Sequence, residues 1–308
     1  MPKQKRKAKA RSAKTKKQQT ERKKRGPLDS LPSREAMEGL LVDFLDPEAR
    51  AGRSAVKEAQ TIMYEAWGET SPRRRLALAT KALLVSGDCA DAYVLLAQES
   101  ADSLDQAIEL YSMGVEAGER TLEKETFEED IGHFWGLQET RPYMRARAGL
   151  AGCLWEAGRR EEAIDHYRDM LRLNPNDNQG IRHVLLPYLI ELGRDEDAEK
   201  LFKQFKGDCM AVWKYSRALL DFRKKGDVPA ARKSLQTALE ANALVPAYLL
   251  GRKKIPRSMP ELYGIGDENE AVICGQMSVS IWKATPGALE WLEARLRQPT
   301  KGPSPSRE

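Results

Sequence analysis

Aromatic side chains make up only 7% of this 308-residue sequence, and histidine occurs three times. His133, His166 and His183 each stand without a second His or Cys at helical ligand spacing. No H-E-x-x-H, G-x-S-x-G or Walker glycine loop is present. These absences predict no catalytic residues, no metal and no cofactor. Cys89, Cys153, Cys209 and Cys274 lie far apart with no C-x-x-C pair, which argues against structural zinc. Reduced thiols fit the cytoplasm. No stretch approaches the roughly 18 apolar residues of a membrane helix; the longest run, Val184 to Ile190, contains Pro187. The N-terminus shows no apolar segment of the signal-peptide kind. The expectation is a cytoplasmic protein with no membrane partner. Strand-like alternation and hairpin dipeptides between apolar runs are also missing, so the predicted fold class is all-α.

What the sequence has in excess is charge, unevenly placed. Residues 1–26 hold thirteen Lys or Arg against Glu21, a net of +12, whereas the whole chain carries +5. The remainder is therefore acidic, at −7. A segment so poor in large apolar side chains cannot offset its ordering entropy, so residues 1–26 are predicted to be a disordered basic tail. Residues 299–308 are predicted to be a second disordered tail. The basic tail suits non-specific, salt-sensitive contact with nucleic acid, association with a ribosome, or simple solubilisation.

Helical signals begin after Pro27. Ser33 precedes Met37, Leu40, Leu41, Phe44 and Leu45 at helical spacing, and Pro47 ends the pattern. A second helix runs through Val56, Ile62, Met63 and Trp67 to about Gly68, and Ser71-Pro72 reads as the cap of a third. Residues 27–71 thus form N-terminal helices, and an array follows over 72–243. Three segments repeat. Gly158 leads to Ala163 and Tyr167, Gly193 to Ala198 and Phe202, and Gly226 to Ala231 and Leu235. The glycine spacings are 35 and 33, close to the tetratricopeptide period of about 34. Each glycine is expected to end one helix in a left-handed turn, and each alanine to let the next helix approach closely. A weaker copy carries Ala107 and Tyr111. The insertion at 119–141 holds the acids Glu123, Glu125, Glu128, Glu129 and Asp130, either a docking loop for a basic partner or a solvated loop.

These features predict a right-handed tetratricopeptide-repeat solenoid with a helical C-terminal cap over 244–298. Its function would be that of an adaptor, holding a partner peptide or protein in a groove. The residues expected to line it are Arg145 and Trp155, then Arg182 and His183, then Trp213, Arg217 and Arg223, with Trp155 and Trp213 suiting the core equally well. Arginines with tryptophans suit an acidic or C-terminal peptide through forked bonds to carboxylates. The alternative is a nucleic-acid- or ribosome-associated protein anchored by its tail.

Three further stretches carry a resemblance. They are Asn242-Ala-Leu-Val-Pro246-Ala-Tyr248-Leu-Leu250, Tyr263-Gly-Ile-Gly266-Asp267-Glu-Asn-Glu270-Ala271 and Trp282-Lys-Ala-Thr-Pro-Gly287-Ala288-Leu289. Following such repeats, they resemble the C-terminal region of the suppression-of-tumorigenicity-seven family and its bacterial tetratricopeptide relatives, over about residues 72–296. The resemblance implies no catalytic residues. Animal members carry hydrophobic membrane spans where this chain has its basic tail, so a membrane location does not transfer. Read from residues alone, Asp267 and Glu270 form a capping-box-like helix start, and Thr285-Pro286 starts the last helix. Residues 263–270 are either part of the cap or a dedicated site.

Overall fold

The computed structural model describes residues 36–38, 54–122 and 124–297. The predicted tails at 1–26 and 299–308, and all of the Ser33 helix except residues 36–38, lie outside the described residues. Those described are all-helical, with no strand among them. The helices are α1 (Ala55–Gly68), α2 (Pro72–Val85), α3 (Ala90–Glu99), α4 (Leu104–Thr121), α5 (Lys124–Glu129), α6 (Arg141–Glu156), α7 (Arg160–Leu173), α8 (Ile181–Glu191), α9 (Asp195–Gln204), α10 (Ala211–Lys225), α11 (Pro229–Ala241), α12 (Val245–Leu249), α13 (Glu268–Ala284) and α14 (Ala288–Arg297). They fall into two compact units, one comprising residues 1–126 and 137–153, the other residues 127–136 and 154–308.

In the first unit α1 pairs with α2 and α3 with α4. Ala59, Met63, Ala66, Ala79, Ala82, Ala92 and Leu95 close its core at zero exposure. Small side chains dominate because they let helix axes approach. The same device joins α4 to α6. A Cβ on Gly118 would lie 2.8 Å from Cβ of Tyr143, and one on Gly149 would lie 2.1 Å from the Tyr111 ring. Ala107 is only half-buried, so in this weaker copy the close-approach role passes to Gly114, Ala117 and Gly118, all buried. Ser71 does not cap α2 with its side chain. The Arg74 amide donates to the Ser71 carbonyl at 3.0 Å, and Glu69 Oε1 accepts from the amides of Thr70 and Ser71 just before the helix at 2.8 and 3.0 Å.

In the second unit the repeated glycines all take positive φ: 79° at Gly158, 70° at Gly193 and 68° at Gly226. The first two turns close alike. Arg159 N donates to Leu154 O at 2.9 Å and Arg194 N to Leu189 O at 2.8 Å, the six-to-one bond that ends a helix on a left-handed residue. The third differs, because Gly226 has ψ −155°, a region open essentially to glycine alone. Ala163, Ala198 and Ala231 are fully buried, with Tyr167, Phe202 and Leu235 buried one turn on. Pro187 sits inside α8 without ending it.

Two tryptophans pack the C-terminal helices against α10. Trp282 lies near Tyr215 and Trp291 stacks on Phe222, with centroids 6.3 and 4.5 Å apart. The Asp267–Glu270 start of α13 is half a capping box. Asp267 accepts from Glu270 N at 2.8 Å, but the Glu270 carboxylate turns inward to Ala211 N, Asn242 Nδ2 and Gly266 N.

Candidate functional site

Arg145, in the first unit, faces Asp91 of α3 in a forked pair, Nε to Oδ1 at 2.8 Å and Nη2 to Oδ2 at 2.6 Å. Its Nη1 meets Glu38 Oε2 at 2.9 Å, while Arg141 reaches the other oxygen of Glu38 at 3.1 Å. Gln60 donates to Asp91 at 2.7 Å. Asp91 is completely buried and Glu38 nearly so. Burial alone would lower the pKa of the Arg145 guanidinium, but attraction to Asp91 and Glu38 more than reverses it. The arginine expected to meet a partner is committed to internal carboxylates, where it ties residues 36–38 to α3 and α6.

The other predicted residues lie in the second unit. Trp155 is 7% exposed, stacks on Tyr188 at 3.5 Å and is covered by the Arg160 guanidinium at 4.0 Å. Trp213 is 3% exposed, with its ring edge-on to Phe202, Phe205 and His183 at 4.9, 6.2 and 6.1 Å. Trp155 packs in the core, and Trp213, also nearly buried, contributes to the wall of the groove described below. Arg223 bonds to Ile190 O and to the Asp195 carboxylate.

Arg182 and His183 converge on Asp208. Arg182 Nε and His183 Nε2 lie 2.5 and 2.7 Å from its Oδ2, and Met210 N donates to Oδ1 at 2.8 Å. Burial would raise the Asp208 carboxyl, but the bonds from His183, Arg182 and Met210 N outweigh it and hold the pKa at about 2. Arg182 also reaches Asp177, whose carboxylate accepts from the first amides of α8. Arg217 lies 4.0 Å over the Phe202 ring and pairs with Glu199 and Asp221. The fold thus gathers Arg182, His183, Trp213 and Arg217 around Phe202 and Phe205. Arg145 belongs to the other unit, and Trp155 and Arg223 keep separate partners.

Beside this cluster lies an open groove of about 280 Å³, lined by Glu199, Phe202, Lys203, Lys206, Trp213, Lys214 and Arg217. Glu199 is held by Arg217 at 2.5 Å and Lys224 at 2.9 Å. Lys203, Lys206 and Lys214 form no ion pair with any described residue. Sequence reasoning missed these lysines. The available signal was the spacing of Lys200, Lys203 and Lys206 beside the aromatic repeat position Phe202. A second groove, about 390 Å³, runs between α7, α8 and α9, but its Arg168, Arg172 and Lys200 are paired with Asp197 or Asp169.

Among the described residues no group of three or more His, Cys, Asp or Glu is placed to hold a metal ion. No described helix is long and apolar enough to cross a membrane.

Comparison with known proteins places these features in a lineage. A family profile for "ST7 protein" matches residues 51–301. That match begins earlier than the stretch from residue 72 that the motifs suggested. The human "Suppressor of tumorigenicity 7 protein-like" is 30% identical over 261 residues, covering 77% of this chain and 45% of that protein. Its Bos taurus counterpart is 29% identical over 260 residues, covering 77% and 47%. The "Suppressor of tumorigenicity 7 protein" of Macaca fascicularis is 27% identical over 283 residues, covering 77% and 52%. The chain spans about half the length of the curated relatives it matches. With a profile match over most of its length, this chain belongs to the ST7 protein family.

Proposed function

We propose that this protein is a non-enzymatic interaction module, a tetratricopeptide-type helical array that holds a partner peptide or protein on the surface formed by α8, α9 and α10. The observation carrying this reading is the groove beside Phe202 and Trp213, with its three lysines that no described acid neutralises. The array reading is supported by the recurrence of glycine turn, buried alanine and buried large side chain at spacings of 35 and 33 residues. Stacked helix pairs of this kind present a preformed surface, so a ligand meets little ordering cost in the receptor. The reading places the protein in the cytoplasm; none of its four cysteines forms a disulfide, and burial pushes the Cys89 and Cys274 thiols up to about 12.

The test is photo-cross-linking from single positions on α9 and α10 of the full chain, followed by mapping of the joined peptides at low and high salt. Cross-links to one protein from both helices, retained when residues 1–25 are deleted, are the expected result. Cross-links to nucleic acid alone, abolished by that deletion and by salt, would overturn it in favour of tail-driven binding.

A further inference from the structure

We infer that the groove between α9 and α10 receives an acidic peptide that also carries an aliphatic side chain. This rests on the interaction-module reading and names its ligand. Along α8 to α10 most cations are matched: Arg182 with Asp177 and Asp208, Arg217 with Glu199 and Asp221, Lys200 with Asp197. Lys203, Lys206 and Lys214 break that pattern, and all three line the same groove. The groove's single acid, Glu199, is already engaged twice, so its lining residues carry a net +3. Several like charges around an apolar floor raise the local concentration of an anionic ligand and repel a cationic one.

The floor decides which anion fits. Single-stranded nucleic acid binds aromatic side chains by stacking bases on an open ring face. Here the Phe202 face is covered by the Arg217 guanidinium at 4.0 Å, and Trp213 is enclosed by Phe202, Phe205 and His183. With both rings buried, neither offers an open face on which a base could stack. What remains is an apolar wall for a Leu- or Ile-sized side chain, flanked by ammonium groups that act as point charges for carboxylates.

The experiment is fluorescence anisotropy of a fluorescein-labelled peptide of about twelve residues, rich in Asp and Glu with two Leu, titrated with the full chain. The comparison variant is Lys203→Glu/Lys206→Glu/Lys214→Glu, its fold checked by circular dichroism. The basic tail is present in both proteins, so their difference isolates the groove. The expected result is a loss of affinity of about eightfold or more in the variant, three opposed charges each contributing about twofold or more. Lys203→Gln/Lys206→Gln/Lys214→Gln should weaken binding in the same direction by less, and a peptide with Lys in place of its acids should lose no affinity in either variant. Equal affinity for wild type and both variants would overturn the inference. So would an oligouridine of similar length that binds as tightly and loses as much in the variant. If cross-linked partners persist on α9 and α10 of the Glu variant, the groove's ligand assignment falls while the interaction-module reading stands.

Discussion

Arg145 and Arg217 share a residue type and a pair of carboxylates each, yet they sit in opposite environments. Arg145 is 12% exposed by side chain and meets Asp91 and Glu38 at zero and 6%. Arg217 is 28% exposed and meets Glu199 and Asp221 at 29% and 23%. The first arrangement is sealed; the second borders an open groove. Removing one member of a buried set strands the others in low dielectric, whereas solvent takes up the partners of an exposed one. Number of ion pairs therefore says little about importance, and burial says much.

The strongest way to break this contrast is Arg145→Met. It leaves Asp91 and Glu38 buried without their cation, and a loss of about 3–5 kcal/mol in urea unfolding is expected. A loss below about 1 kcal/mol would show that water reaches the site. Gly149→Ala comes next: its Cβ would fall 2.1 Å from the Tyr111 ring, and overpacking should cost about 1–3 kcal/mol, visible as a lowered thermal midpoint.

Asp208 sharpens the comparison through pH. Its folded pKa of about 2 lies below the ordinary carboxylate value, so its contribution is complete above about pH 4 and is lost as pH falls through about 2. Asp208→Asn should remove that part of the acid-side decline, read from unfolding curves between about pH 5 and 2, at a cost near 2 kcal/mol at neutral pH. The two glycine turns offer a smaller test. Gly226→Ala should cost about 1–3 kcal/mol, because φ 68° with ψ −155° is closed to other residues; Gly193→Ala should cost about 1 kcal/mol. Smallest of all, Arg217→Met should change stability by less than about 1 kcal/mol.

Much of the fold was legible in the residues. The positive φ of Gly158, Gly193 and Gly226 and the full burial of Ala163, Ala198 and Ala231 follow from local rules: a left-handed helix end tolerates glycine, and close helix pairs need a small contact residue. Chain-local bonds were less legible where two candidates compete. Ser71 stands at a cap position without its side chain bonding there, because the Arg74 amide it would receive donates to the Ser71 carbonyl at 3.0 Å. The candidate site was legible only as a neighbourhood. Arg182, His183, Trp213 and Arg217 do come together, but periodicity cannot tell a tryptophan in the core from one on a groove wall.

By itself the sequence determined the all-helical class, the helix ends and the small residues at close contacts, because each depends on neighbours within a turn or two of chain. Only the tertiary structure decided which charges are spent. Arg145 finds Glu38 across 107 residues and Asp91 across 54, while Lys203, Lys206 and Lys214 find no described acid. An ion pair depends on separation in space and on the surrounding dielectric, and neither is written in the order of residues.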